Sequence, residues 1–259
     1  MPSLPTISLF GLELVNAQAA SALEALLCGA RVAVAFVNAH CVNVAAKDPT
    51  YRWALNRADY LLPDGSGVQL AAKLKGARFV ANLNGADVFA PLRLAAAQRG
   101  LSIYFFGSRD GVARKAAEAA ERLAPGLKVA GARAGFSDAE EEDAIVAEIN
   151  AAAADIVLVA LSVPKQDLWI ARNRHRLAAR LVMGVGAQFD FWSGRVPRAP
   201  LVMRRLGIEW MMRLAVEPRR MARRYLVAIS NSCCARWRRR TSRRTRRTPA
   251  NSRSAAPMD

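Results

Sequence analysis

Short apolar runs of strand length recur along this chain. Each is closed by glycine, proline or a polar residue, and each is separated from the next by a stretch with helical spacing. The runs Val32–Val37, Tyr60–Leu62, Ile103–Phe106, Lys128–Ala130, Ile156–Leu161 and Leu181–Val185 read as strands. Between them the pattern predicts helices over Ala17–Leu27, Tyr51–Arg57, Val68–Lys75, Val88–Gln98, Gly111–Leu123, Asp138–Ala151 and Leu168–Leu177, many of them rich in alanine. Asp110 stands before the fifth of these, and Ser137-Asp138 opens the sixth with an acidic first turn, as capping and the helix dipole favour. Alternation of this kind predicts an α/β fold, a Rossmann-like, mostly parallel sheet with helices on both faces.

In a parallel sheet the strand ends converge on one edge, where open α/β sheets bind ligands. The predicted strands run into Asn38-Ala39-His40, Pro63-Asp64-Gly65-Ser66-Gly67, Gly107-Ser108, Gly135-Phe136, Pro164-Lys165-Gln166 and Gly184-Val185-Gly186. The stretch from Ile156 to Leu161 is the sharpest case. A buried-strand signature stops at Ser162-Val163-Pro164 and delivers Lys165, Gln166 and Asp167 at once.

After residue 200 the pattern changes. Leu206, Trp210 and Leu214 fall at helical spacing among Arg204, Arg205 and Arg213. Pro218 suits the first turn of a second helix, in which Met221, Tyr225 and Ile229 form a stripe beside Arg219, Arg220, Arg223 and Arg224. The division expected is an α/β core over 1–200, a basic amphipathic helical appendage suited to a membrane interface over 201–232, and a disordered arginine-rich tail over 233–259.

Composition sharpens that division. The net charge of +17 over 259 residues is concentrated at one end. From Arg219 onward there are 13 arginines and one acid, whereas residues 1–218 carry 25 basic and 20 acidic groups. Such asymmetry implies an anionic partner, a membrane surface or nucleic acid. No apolar run is long enough to span a bilayer, and no secretory signal is recognisable. Cys28, Cys41, Cys233 and Cys234 have neither metal-ligand nor disulfide-framework spacing, so the expected compartment is the cytoplasm.

Several strand-end residues are candidates for chemistry. Asp64 is suited to take a proton from a hydroxyl, although Asp-Gly is also an ordinary turn. Gly65 lets backbone N–H groups approach a ligand, and Gly107-Ser108 is a weak phosphate cradle. Asn38 offers an amide to a sugar, or else ends its strand in a turn. His40 has no second ligand at metal spacing. Lys165 and Gln166 could meet a diphosphate and a sugar hydroxyl, or simply begin a solvated helix. Asp190 could accept from a uracil N–H or a ribose hydroxyl, or cap a helix. The dinucleotide fingerprint, the Walker lysine motif and an Asp-X-Asp metal clamp are all missing, so no cofactor and no metal is expected. Arginine, lysine and backbone dipoles would then stabilise leaving-group charge.

Taken in order, Asn38-Ala39-His40, Pro63-Asp64-Gly65-Ser66-Gly67, Asn84-Gly85-Ala86-Asp87, Pro164-Lys165-Gln166, Gly186-Ala187-Gln188-Phe189-Asp190, Arg198-Ala199-Pro200, Glu209-Trp210-Met211-Met212-Arg213 and Glu217-Pro218-Arg219 resemble the WecG/TagA/CpsF family of bacterial glycosyltransferases over roughly residues 30–226. The resemblance implies inverting, metal-independent transfer from a UDP-sugar to a polyprenyl-diphosphate-linked saccharide, by an enzyme peripheral on the inner face of the cytoplasmic membrane. It implies Asp64 as general base, Asn38 on a sugar, and Lys165 and Gln166 in the donor site. Phe136 and Asp190 would lie near the uracil, and Arg213, Arg219, Arg220 and Arg223, with Arg224 beside them, would meet diphosphate or membrane charge. The chain departs from the family pattern at Val37, Asn82, Ser162 and Asp167, where threonine, arginine, glycine and glutamate are usual; all four fall in the crevice and bear on sugar specificity and activity. Two other readings remain open at this point. One is a nucleic-acid-binding α/β protein using the tail, and the other is a non-catalytic relative that binds nucleotide sugar. A homo-oligomer is compatible with any of them.

Overall fold

The computed structural model describes residues 2–135, 141–196 and 203. The predicted segments 201–232, Met203 apart, and 233–259, together with Phe136, Arg213, Arg219, Arg220, Arg223 and Arg224, lie outside the described residues. In chain order the elements are β1 (Thr6–Leu9), β2 (Leu12–Val15), α1 (Ala19–Cys28), β3 (Val32–Val37), α2 (Ala39–Ala45), α3 (Pro49–Asn56), β4 (Tyr60–Pro63), α4 (Ser66–Leu74) and α5 (Gly85–Gln98). There follow β5 (Ser102–Gly107), α6 (Val112–Leu123), β6 (Lys128–Arg133), α7 (Glu142–Ala151), β7 (Ile156–Ala160), α8 (Lys165–Asn173), β8 (Leu181–Gly184) and α9 (Gln188–Trp192).

Among the described residues the strands form one sheet of order β1-β2-β4-β3-β8-β7-β5-β6. β1 runs antiparallel to β2, and the other pairings are parallel. The α/β expectation therefore holds. Alternation along the strands assigns the core to two faces. On β3, Val32, Val34 and Phe36 join the cluster containing Leu26 of α1, Phe89 of α5, Ala116 of α6 and Phe189 of α9. Ala33 packs on the opposite face with Ile145 of α7 and Trp169 of α8, and Ala35 and Val37 pack there with Cys41 of α2 and Leu55 of α3. The central strands are buried on both sides, which is why they read as unbroken apolar runs.

Three elements differ from the predicted pattern. The hairpin β1–β2 was not expected. Its two-residue turn puts Phe10 at φ 59° and Gly11 at φ 72°, and a phenylalanine in a left-handed turn position gives none of the usual Asn-Gly signal. Helix α2 follows at once from Asn38, whose side chain accepts from the backbone N–H groups of His40 and Cys41 and so caps the helix. Helix α9 is five residues long, too short to show periodicity. The expected cap at Asp110 also shifts: α6 starts at Val112 behind Gly111, and Asp110 Oδ1 instead accepts from the N–H of its neighbour Gly111.

The connections leaving neighbouring strands part at the carboxyl edge. β3 leads to α2 and α3 on one face, while β8 leads to α9 on the other; β7 leads to α8, and β5 to α6, on opposite faces again. Diverging connections open the strand ends between them, and this positions the site.

Candidate active site at the carboxyl edge of the sheet

Asp64 and Asn38 stand at the ends of adjacent strands. The Asp64 N–H donates to the Val37 carbonyl at 2.9 Å, extending the β3–β4 ladder by one residue. Asn38 Nδ2 donates to Asp64 Oδ2 at 3.3 Å. Because Asn38 Oδ1 is committed to the N–H groups of His40 (3.0 Å) and Cys41 (3.2 Å), the cap fixes which end of the amide faces the carboxylate. The amide holds the carboxylate in place at the strand end, as a general base requires. Asp64, Asn38 and His40 are all half-buried.

Gly65 follows with φ 87°, and a Cβ there would meet nothing within 4 Å. The glycine is therefore required by the backbone conformation rather than by crowding. Its N–H is held at 3.3 Å by Asn82 Oδ1, a positioning contact that the sequence pattern did not reveal.

On the other side of the edge the backbone carries the geometry. Gly107, at φ 112°, lies so close to β7 that a Cβ would sit 2.7 Å from the Ala160 carbonyl carbon and oxygen. Ser108 follows at φ 63°, its N–H donating to the Ala160 carbonyl at 2.8 Å and its own carbonyl accepting from Gly135. Ser162, at the end of β7, is left-handed too, at φ 65°. The Val163–Pro164 peptide is cis, and α8 begins immediately afterwards with Lys165 exposed.

Gln166 and Asp167 do not extend into solvent as strand-end polar groups were expected to. Both are buried. Gln166 Oε1 accepts the Gly186 N–H at 2.9 Å, tying α8 to the loop after β8. Gly184 makes room for both: a Cβ there would lie 2.9 Å from Gln166 Nε2 and 2.9 Å from Asp167 Oδ1. Tyr51 of α3 donates to Asp167 Oδ2 at 3.1 Å. Burial pushes the Asp167 carboxyl up to about 7, against the hydrogen bonds it accepts, Tyr51's first. Burial likewise raises the Tyr51 hydroxyl, and it pushes the Cys41 thiol to about 12, so that this cysteine is a packing group rather than a nucleophile. A small cavity lined by Ala54, Arg57, Asp167 and Arg174 lies between α3 and α8.

Asp190 opens α9 and is ion-paired with Arg195 at 3.0 Å. It is mostly buried, so this pairing decides which of its oxygens a ligand could reach. Among the described residues, no three His, Cys, Asp or Glu side chains are gathered in an arrangement that could hold a metal. No helix among them is long and apolar enough to cross a membrane.

The structure thus brings Asn38, His40, Asp64, Gly65, Gly107, Ser108, Lys165, Gln166 and Asp190 to a single sheet edge, with Asn38 and Asp64 in direct contact. Comparison with known proteins identifies the family. The profile of the glycosyl transferase WecG/TagA/CpsF family matches residues 7–246. An N-acetylglucosaminyldiphosphoundecaprenol N-acetyl-beta-D-mannosaminyltransferase of Bacillus spizizenii is 34% identical over 190 residues, covering 71% of this chain and 73% of the relative. The protein of the same name in Bacillus subtilis is 32% identical over 190 residues, covering 73% of each. With its fold, its strand-end residues and a match across most of its length, this chain belongs to the WecG/TagA/CpsF family of glycosyl transferases.

Proposed function

We propose that the protein is an inverting glycosyltransferase of bacterial polysaccharide biosynthesis. It moves a hexose or N-acetylhexosamine from a UDP-sugar to a polyprenyl-diphosphate-linked saccharide at the inner face of the cytoplasmic membrane. The observation that carries this reading is the Asp64 carboxylate held 3.3 Å from the Asn38 amide at adjoining strand ends, in a chain of this family. The activity for which the two Bacillus relatives are named, N-acetylmannosaminyl transfer to an N-acetylglucosaminyldiphosphoundecaprenol, supports both the sugar class and the acceptor class.

In this reading Asp64 takes the proton of the acceptor hydroxyl as its oxygen bonds to the anomeric carbon. The bond from that carbon to the UDP oxygen breaks on the opposite face, and the electron pair leaves on the diphosphate. Configuration inverts. Lys165 meets the developing charge, in place of a metal ion, and Gly107 and Ser108 line the nucleotide side of the crevice. Asn38, His40 and Gln166 hold sugar hydroxyls, and Phe136 and Asp190 flank the uracil. Arg213, Arg219, Arg220, Arg223 and Arg224 engage the acceptor diphosphate and the anionic membrane surface.

The test is transfer from UDP-sugars, UDP-N-acetylmannosamine and UDP-glucose among them, to a lipid-linked acceptor by wild type and by Asp64→Asn. The variant keeps an oxygen for Asn38 to donate to and is expected to fold normally. It should lose about 10²- to 10⁴-fold in turnover, the usual contribution of a general base. Wild-type turnover in the variant would remove Asp64 from the mechanism. A thermal-shift increase with UDP and none with an oligonucleotide is expected; the reverse would favour the nucleic-acid reading.

A further inference from the structure

Helix α4, which starts two residues after Asp64, is apolar on two faces. Val68 and Ala72 are buried against the core. Leu70 and Leu74, two residues further on and so about 200° round the helix, are 58% and 68% exposed. Phe10 of the β1–β2 turn, 41% exposed, adjoins the end of the helix, where Lys75 Nζ stands 5.5 Å from its ring centroid. Lys73, Lys75 and Arg78 are exposed around these side chains. From Gly65 to Ala86 the chain has these three cations and no acid.

Isolated exposed leucines are ordinary, but an exposed leucine pair on a short helix ringed by charge of one sign is not. Helix α6 shows the ordinary pattern, with Arg114, Lys115 and Arg122 interleaved with Glu118 and Glu121. The charge also selects the occupant. A second copy docking through the same face about a two-fold axis would bring Lys73, Lys75 and Arg78 against their own equivalents with no acid to meet them. Nucleic acid could stack on Phe10 alone and would leave Leu70 and Leu74 without a partner. An anionic lipid surface satisfies both features, taking the leucines into the headgroup–acyl boundary and the cations at the headgroups.

We propose that the outer face of α4, with Phe10 beside it, docks on an anionic lipid surface and brings Asp64 to the side of the molecule from which a lipid-linked acceptor is presented. The inference rests on the lipid-linked-acceptor reading above. It adds a contact from the α/β core itself, separate from the arginines that follow residue 200.

Hydrogen exchange of the full chain tests it, because the readout is local to α4 whatever else binds. Phosphatidylglycerol vesicles should slow exchange in peptides covering residues 66–78, and phosphatidylcholine vesicles should not. Lys73→Gln/Lys75→Gln should weaken partitioning to phosphatidylglycerol about 25-fold at low salt, about fivefold for each cation near an anionic leaflet. Leu70→Ser/Leu74→Ser should weaken it at high salt as well, while turnover on a short-chain soluble acceptor is unchanged. If the protein binds vesicles and α4 is not protected, the docking face is wrong and the transferase reading stands. If α4 is protected but no lipid-linked acceptor is glycosylated, docking stands and the transferase reading fails. Protection of α4 that grows with protein concentration without vesicles would assign the face to a second copy and overturn the proposal.

Discussion

Replacing Asp167 by asparagine should change how stability depends on pH, in a direction set by burial. The folded-state carboxyl lies near 7 against an ordinary value of 3.8, because burial disfavours its charge more than Tyr51's hydrogen bond supports it. Below about pH 4 the group is protonated in both states and contributes nothing. Between there and about pH 7 the folded protein keeps a proton that the unfolded chain has released, so stability falls as pH rises. Above pH 7 the full cost is present. At about 1.4 kcal/mol per unit, that cost is about 4 kcal/mol above pH 7 and less than half of that at pH 5. Asparagine carries no charge and keeps an acceptor for Tyr51. Its unfolding free energy, measured in urea at pH 5, 6, 7 and 8, should therefore be flatter than wild type by about 2–3 kcal/mol across the range. Parallel curves for the two proteins would refute a neutral, buried Asp167.

Three further outcomes follow from the contacts at the sheet edge. Asn38→Asp keeps the α2 cap but sets a second carboxylate against Asp64, so the acid limb of the pH–rate profile should move up by about one unit or more; an unmoved limb would separate Asp64 from that titration. Gly107→Ala forces a Cβ to 2.7 Å from the Ala160 carbonyl at φ 112°, and the strain and overpacking of about 3–5 kcal/mol should lower Tm by about 10 °C. A near-wild-type melt would mean that β5 and β7 can part there. Gly184→Ala would push on Gln166 Nε2 at 2.9 Å and should raise KM for the UDP-sugar about tenfold, the worth of one hydrogen bond, with kcat less affected. An unchanged KM would take the Gln166 amide out of the donor site.

The fold was legible where local signals agreed with burial. β3 occupies the same six residues in the structure as in the apolar pattern, because a central parallel strand buried on both faces shows no polar interruption. The β1–β2 hairpin was not legible, because Phe10 takes a turn position that usually announces itself with asparagine or glycine. The strand-end candidates could be listed from sequence because parallel strands deliver their carboxyl ends to one edge whatever the sheet order. Contacts within that edge depend on the order, and here β3 and β4 are neighbours, which joins Asn38 to Asp64. The Tyr51–Asp167 pair joins residues 116 apart in the chain through the packing of α3 on α8. No local pattern announces such a contact. Asp167 was read as a crevice group because polar residues at strand ends usually face solvent; the close approach at Gly184 draws it inward instead.

Sheet order also imposes a direction on the site. Asp64 ends β4 and Gly107 ends β5, and the order β4-β3-β8-β7-β5 puts four strand intervals between them. At about 4.8 Å each, these ends lie roughly 19 Å apart. The end near Asp64 offers a carboxylate and an amide. The end near Gly107 offers left-handed main chain at Gly107, Ser108 and Ser162, which persists only where the surroundings hold it. Reacting groups must lie about 3–3.5 Å apart, so the base and the leaving oxygen are much closer than that span. In the proposed reaction the acceptor hydroxyl therefore belongs towards β3 and β4, the diphosphate between the two ends within reach of Lys165, and the nucleoside towards β5. Gln166, tied to the loop after β8 between them, falls where the transferred sugar must pass. The orientation has a consequence for variants. A substitution at Ser108 should act on UDP and UDP-sugar alike, whereas one at Asn38 should spare UDP binding and lower transfer, and equal effects of the two on UDP affinity would reverse the assignment.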